Sequence, residues 1–167
     1  VYNEIYKLTN IGAGFLAIMA RPSSGLWMKE DFTQYPREGV KRIVSLLESQ
    51  EAIELGLEDE ANVCTGLHLM FSNFPIQDRG VPSNAHEYYR LVRGVYADVK
   101  TGVNTVIHCR AGIGRSGLVA AGVLCCAGMS GVRAFELISD TRRVQVPDTD
   151  EQKKWLFDIE DDLSVFE

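Results

Sequence analysis

The 167-residue chain is 46% hydrophobic, which fits one domain, residues 1–167, with a sizeable core. Its 17 basic and 23 acidic residues leave a net charge of −6, which disfavours nucleic acid or an anionic membrane as the main partner. No apolar run nears the roughly 18 residues of a membrane span, and no signal-like segment opens the sequence. The four cysteines, Cys64, Cys109, Cys125 and Cys126, lack C-x-x-C spacing and a secreted mini-protein context, so reduced thiols without zinc are expected; a cytoplasmic location and a monomer are further expectations.

In chain order, Glu4 to Thr9 and Phe15 to Ala20 read as two strands of a hairpin. Gly12, Gly14 and Ala17 also fit a G-x-G-x-x-A dinucleotide fingerprint, but Arg21-Pro22-Ser23-Ser24-Gly25 breaks the segment too soon for the helix that fingerprint needs. Trp27 to Glu38 carries a weak helical pattern interrupted by Pro36, and Val40 to Leu47 reads as a buried strand. Glu48 to Leu55 is a short acidic helix whose Glu48, Glu51 and Glu54 read as a solvated face. Leu67 to Phe71 is the next strand, with His68 a half-buried strand residue.

Phe74 to Asn84 holds two prolines and a glycine around Asp78, which makes it a loop. Ser83 or Asn84 then caps a helix running to about Lys100, with Leu91, Val92, Val95 and Val99 facing the core. Val103 to Ile107 is a β-branched buried strand, and Leu118 to Met129 an apolar helix. Val132 to Arg143 is amphipathic, and Thr149 or Asp148 caps a last helix from Asp150 to about Leu163.

Between that β-branched strand and the apolar helix lies His108-Cys109-Arg110-Ala111-Gly112-Ile113-Gly114-Arg115-Ser116-Gly117. A glycine-rich turn leading into a helix N-terminus favours a bound anion. The backbone N–H groups of Arg110, Ala111, Gly112, Ile113, Gly114 and Arg115 can converge on phosphate oxygens as a nest. The same surroundings favour the thiolate of Cys109, the form that attacks phosphorus. The planar fork of Arg115 suits the equatorial oxygens as charge spreads in the transition state. Loops leaving the carboxyl ends of strands in an α/β sheet gather on one edge, so Asp78 can meet Cys109 and protonate the leaving oxygen.

His108-Cys109 followed by Gly112, Gly114, Arg115 and Ser116 resembles the H-C-x-x-G-x-G-R-[ST] signature of the cysteine-dependent protein tyrosine and dual-specificity phosphatase superfamily. Val40 to Glu48, Pro75 to Pro82 and Val146 to Trp155 also resemble blocks of its compact single-domain members, the kind that includes the cyclin-dependent-kinase-associated phosphatase. The resemblance implies an α/β fold of three layers, with a central, mostly parallel twisted sheet flanked by helices. It also implies a cysteinyl-phosphate intermediate and no metal or other cofactor.

Carried over by that resemblance, the Ser116 hydroxyl stabilises the departing thiolate and His108 supports the loop from behind. The movable acid loop becomes Pro75 to Gly80. The place of a water-positioning glutamine falls first on Asp148 and then on Gln152, of which Gln152 is the choice. No counterpart of the phosphotyrosine-recognition loop of the large Tyr-specific enzymes is apparent, which implies a shallower, less selective pocket.

Other readings stand beside this one. Gly112, Gly114 and Gly117 fit G-x-G-x-x-G after a strand, but the position about 20 residues on is Glu136, inside a helix rather than at a strand end. Cys125 and Cys126 read as small core residues, while Cys64 is a candidate to trap an oxidised Cys109. A pseudophosphatase would need the nest and Arg115 but neither the thiol nor Asp78. The loop interior has no basic residue beyond Arg110 and Arg115, which favours a phosphorylated protein over a phosphoinositide.

Overall fold

The computed structural model describes residues 3–164. Five strands, β1 (Tyr6–Ile11), β2 (Gly14–Met19), β3 (Arg42–Ser45), β4 (Met70–Asn73) and β5 (Thr105–His108), form one sheet in the order β1-β2-β5-β3-β4. β1 and β2 make the antiparallel hairpin expected from the turn chemistry, and β2, β5, β3 and β4 run parallel. The fold is α/β, a mostly parallel sheet flanked by helices.

Strand alternation sorts side chains onto two faces. Leu16, Ile18, Val44, Leu46 and Ile107 turn to one core with Val92, Val95, Val99, Leu118, Phe135 and Leu156. Those partners come from α5 (Ala85–Lys100), α6 (Gly114–Cys126), α7 (Gly131–Arg142) and α8 (Asp150–Ile159). Phe15, Ala17, Met19, Ile43 and Val106 turn to the other core with Met28, Phe32, Tyr35, Leu57 and Cys64. That layer holds α1 (Met28–Phe32), α2 (Gln34–Arg37), α3 (Ser49–Glu54) and α4 (Glu60–Gly66). Each fully buried Leu, Ile or Val contributes about 1.5–3 kcal/mol, so both cores weigh heavily on fold choice.

Several elements depart from the sequence reading. The helix expected from Leu118 begins at Gly114, so Arg115 and Ser116 lie in its first turn. His68 is not a strand residue: it is exposed with φ 59° in the turn before β4. α4 had no periodic apolar signal long enough to announce it. The last helix ends at Ile159 and continues as a short 3-10 turn over Glu160–Asp162.

Cap chemistry holds where it was legible. Asn84 accepts from the Glu87 N–H at 3.0 Å. Thr149 and Gln152 form a reciprocal capping box at the start of α8.

Candidate active site

The carboxyl ends of β3, β4 and β5 bring three loops to one sheet edge. Directly after β5, Cys109 is 3% exposed and accepts a hydrogen bond from the Ser116 hydroxyl at 2.9 Å. Cys109, Asp78, Arg79, Arg110, Ala111, Arg115 and Asp148 line a cavity of about 220 Å³. Of the residues named from sequence, Cys109, Asp78, Arg115, Arg110 and Ala111 thus share one pocket, with Ser116 bonded to the thiol from α6.

The loop from Arg110 to Gly114 is turned inside out relative to an ordinary helix approach. The N–H groups of residues 110 to 116 make no hydrogen bond to any described residue, whereas the carbonyls of the loop are held from outside. Arg21 N–H donates to the Arg110 carbonyl at 3.0 Å. The Arg142 guanidinium donates to the carbonyls of Ala111 at 2.9 Å and Gly112 at 3.0 Å. With the carbonyls fixed outward, the N–H groups face the pocket, where an anion satisfies them. Gly112 has φ +72°, and a Cβ there would fall 2.6 Å from the Met19 carbonyl, so the turn requires glycine.

Arg142 carried no signal in sequence, since a basic residue in the last turn of a helix reads as dipole compensation. It packs 4.2 Å over the Tyr6 ring of β1, which fixes its fork against the loop. Arg142→Ala is expected to lower kcat/KM by about 10- to 100-fold, because slight misplacement of a nest costs that much. Arg142→Lys should not restore the rate, since one ammonium cannot match the two-carbonyl fork. Aryl phosphate kinetics with parallel melting curves check both; near-wild-type rates in Arg142→Ala would show that the loop holds itself.

Arg115 is 2% exposed and cannot be buried without counter-charge. Glu51 of α3 supplies it through a fork-to-fork pair of 2.8 and 2.9 Å. The carbonyl of Ile76 accepts at 2.9 Å, and Asp78 Oδ1 accepts at 3.1 Å. Glu51 was read as part of a solvated face, and that reading is corrected here: its carboxyl is held below the ordinary carboxylate value chiefly by the Arg115 hydrogen bond. Arg115 is raised above its usual value, its pairing with Glu51 and the neighbouring Cys109 and Asp78 outweighing a desolvation that alone would lower it.

The acid loop is anchored on both sides of Asp78. Ile76, 2% exposed, donates its N–H to the Leu46 carbonyl at 3.0 Å. On the other side, Gln152 donates to the Gly80 carbonyl at 3.0 Å. Between these anchors the Asp78 side chain is 51% exposed, open to the pocket and to solvent.

Gln152 does not line the pocket. Its Oε1 accepts from the Thr149 N–H and its Nε2 reaches Gly80, so both ends of the amide are engaged and Gln152 forms a strap between α8 and the acid loop. Asp148 is the residue of that segment that faces the pocket.

Behind Cys109, the fully buried His108 places Nδ1 3.2 Å from the Cys109 carbonyl and Nε2 2.7 Å from Oε2 of Glu60 on α4. Glu60, itself 3% exposed, lies in the helix that sequence reasoning missed. Cys64 sits in the core across the sheet from Cys109, and burial pushes its thiol up to about 12. It is therefore not placed to trap Cys109. Burial likewise pushes Cys125 up to about 12 and Cys126 to about 11, consistent with inert core residues. Among the described residues no group of three or more His, Cys, Asp or Glu is placed to hold a metal ion.

A cysteine and an arginine on an anion-binding turn between a parallel strand and a helix are the arrangement of phosphatases that work through a thiol. Residues 17–129 match the family described as Tc-R-P, polymorphic toxin system, DSP-PTPase phosphatase, and the chain belongs to that family. Among solved structures, kinase-associated phosphatase with its catalytic-site cysteine changed to serine is 20% identical and superposes with a TM-score of 0.86, covering 100% of this chain and 99% of that one. Tk-PTP in its active form is 22% identical with a TM-score of 0.78, covering 94% and 96%. PTPMT1 in complex with PI(5)P is 18% identical with a TM-score of 0.72, covering 95% and 96%. At these identities the likeness is one of fold. No curated protein matches the chain by sequence.

Proposed function

We propose that the protein hydrolyses phosphate monoesters of phosphoproteins, phosphotyrosine and also phosphoserine or phosphothreonine, through a cysteinyl-phosphate intermediate. The observation that carries this reading is Cys109, hydrogen-bonded by Ser116, at the mouth of a loop whose N–H groups have no partner among the described residues. The Cys109 thiolate attacks phosphorus as the P–O bond to the leaving group breaks, and Asp78 gives that oxygen its proton. Arg115 and the nest hold the three equatorial oxygens. Water then displaces the thiolate from phosphorus, with Asp78 taking its proton back and the Ser116 hydroxyl stabilising the sulfur as it leaves.

Charge around the pocket supports a protein substrate. Beside Asp78 the surface continues into a depression bearing Glu48 and Glu54, with Glu51 already paired to Arg115 and Arg110 its one basic residue. That rim repels a polyanionic inositol phosphate and tolerates a phosphopeptide. The experiment is a comparison of phosphate release from phosphotyrosyl peptide, phosphothreonyl peptide and a phosphoinositide, with Cys109→Ser as control. Cys109-dependent release from peptides is the expected result. Release from the lipid alone would overturn the substrate class, and no release from any would favour a phospho-binding pseudophosphatase.

Asp78→Asn is expected to slow esters with poor leaving groups by about 10²- to 10⁴-fold while sparing activated aryl esters, since only a basic leaving oxygen needs the proton. A leaving-group series measures it, and equal losses along the series would make Asp78 a structural residue.

A further inference from the structure

On the face of the sheet opposite α6, a second cavity of about 230 Å³ opens between the ends of β3 and β4 and the helices α3 and α4. Its walls are apolar, with Leu47, Ala52, Ile53, Leu57 and Phe71 among them, and its polar groups include Glu58 and Glu60 with no basic side chain. That volume takes one aromatic ring and a short chain.

The floor is unusual because Glu60 is almost wholly buried yet half unsatisfied. Its Oε2 is bonded to His108 Nε2 at 2.7 Å, while its Oε1 has no hydrogen-bond partner among the described residues. A buried carboxylate oxygen without a donor is costly. The histidine cannot supply a second donor, because its other nitrogen, Nδ1, faces the Cys109 carbonyl at 3.2 Å. Glu58, exposed among the lining residues, adds a second carboxylate side chain to the cavity.

We propose that this cavity binds a small hydrophobic amine, its ring against Phe71 and Leu57 and its ammonium donating to Glu60 Oε1. A cation there draws the carboxylate charge toward the cavity and weakens the bond to His108. His108 in turn is bonded to the Cys109 carbonyl, so occupancy loosens the loop behind the nucleophile. The ligand is therefore a negative effector acting on turnover rather than on substrate affinity. Binding stands independently of the phosphatase reading, and only the effect on turnover rests on it.

The test uses 2-phenylethylamine, 2-phenylethanol and 3-phenylpropanoate as probes at neutral pH, read by amide chemical shifts in the full chain and by aryl phosphate kinetics. The amine is expected to give saturable shifts at Ala52, Ala61 and Phe71 in roughly the millimolar range, with the alcohol about tenfold weaker and the carboxylate silent. It should lower kcat about threefold or more at saturation and leave KM within about twofold. Glu60→Gln should erase the preference for amine over alcohol. Ile53→Trp, at a position 55% exposed, should block the cavity and the shifts while keeping basal turnover. Equal binding of amine and alcohol, full binding to Ile53→Trp, or shifts centred on Ala111 and Gly112 would each overturn the proposal. Saturable amine shifts without any turnover would uphold the site and sink the phosphatase reading instead.

Discussion

Cys109→Ser is expected to lower turnover by on the order of 10⁵-fold while leaving the phosphate site able to bind. The thiol and the anion nest are separable parts of the site. The seven N–H groups of residues 110 to 116 owe their direction to Arg21, Arg142 and the Met19 contact at Gly112, none of which involves sulfur. A serine hydroxyl fits the space of the thiol, which lies 2.9 Å from the Ser116 hydroxyl, but is un-ionised at neutral pH and attacks phosphorus poorly. Single-turnover kinetics on an aryl phosphate, paired with a binding isotherm for a phosphotyrosyl peptide, separate the two effects. Retained turnover would remove the nucleophile assignment, and lost binding with a folded chain would mean that the thiol helps to shape the nest.

The site was readable in sequence to the extent that its chemistry is local. Cys109, the glycines, Arg115 and Ser116 lie within one turn and one helix start, and the strand before them was marked by its β-branched run. The hairpin was readable because glycine at the turn and proline beyond β2 left few alternatives. What was not legible depends on how distant elements dock. Glu48, Glu51 and Glu54 recur at the spacing of any solvated helix face, and nothing local separates Glu51 from its neighbours. The usable clue was indirect: a buried arginine needs a carboxylate partner, and α3 is the helix that follows β3 at the same edge. Glu60 gave even less, since α4 is short and its buried positions, Glu60 and Cys64, include one charged residue. Arg142 stands 30 residues after Gly112, and only the packing of α7 against β1 brings it to the loop. Gln152 is the converse case: its position was carried over from the family, and locally its side chain serves the capping box of α8.

Arg115→Lys is expected to cut kcat by on the order of 10³-fold with a smaller change in KM, because the lysine keeps the charge and loses the fork that matches two equatorial oxygens. Arg115→Ala should do as much to the rate and also destabilise the fold by about 3–5 kcal/mol, the cost of leaving a buried pair with one member. The side chain abandoned is Glu51, 12% exposed, whose carboxyl is lowered by the Arg115 hydrogen bond. A carboxyl lowered by folding stabilises the native state fully above its ordinary range, and that stability is lost as pH falls through the lowered value. The gap in stability between wild type and Arg115→Ala should therefore be full at neutral pH and shrink as acid protonates Glu51. Denaturant unfolding of both proteins from neutral to acid pH reads this directly. A gap that stays constant with pH would mean that the loss comes from the Ile76 carbonyl and from packing rather than from the ion pair. Loss of the gap in a Glu51→Gln, Arg115→Met double variant would place it on the pair, since two apolar-tolerant groups of similar shape leave no buried charge behind.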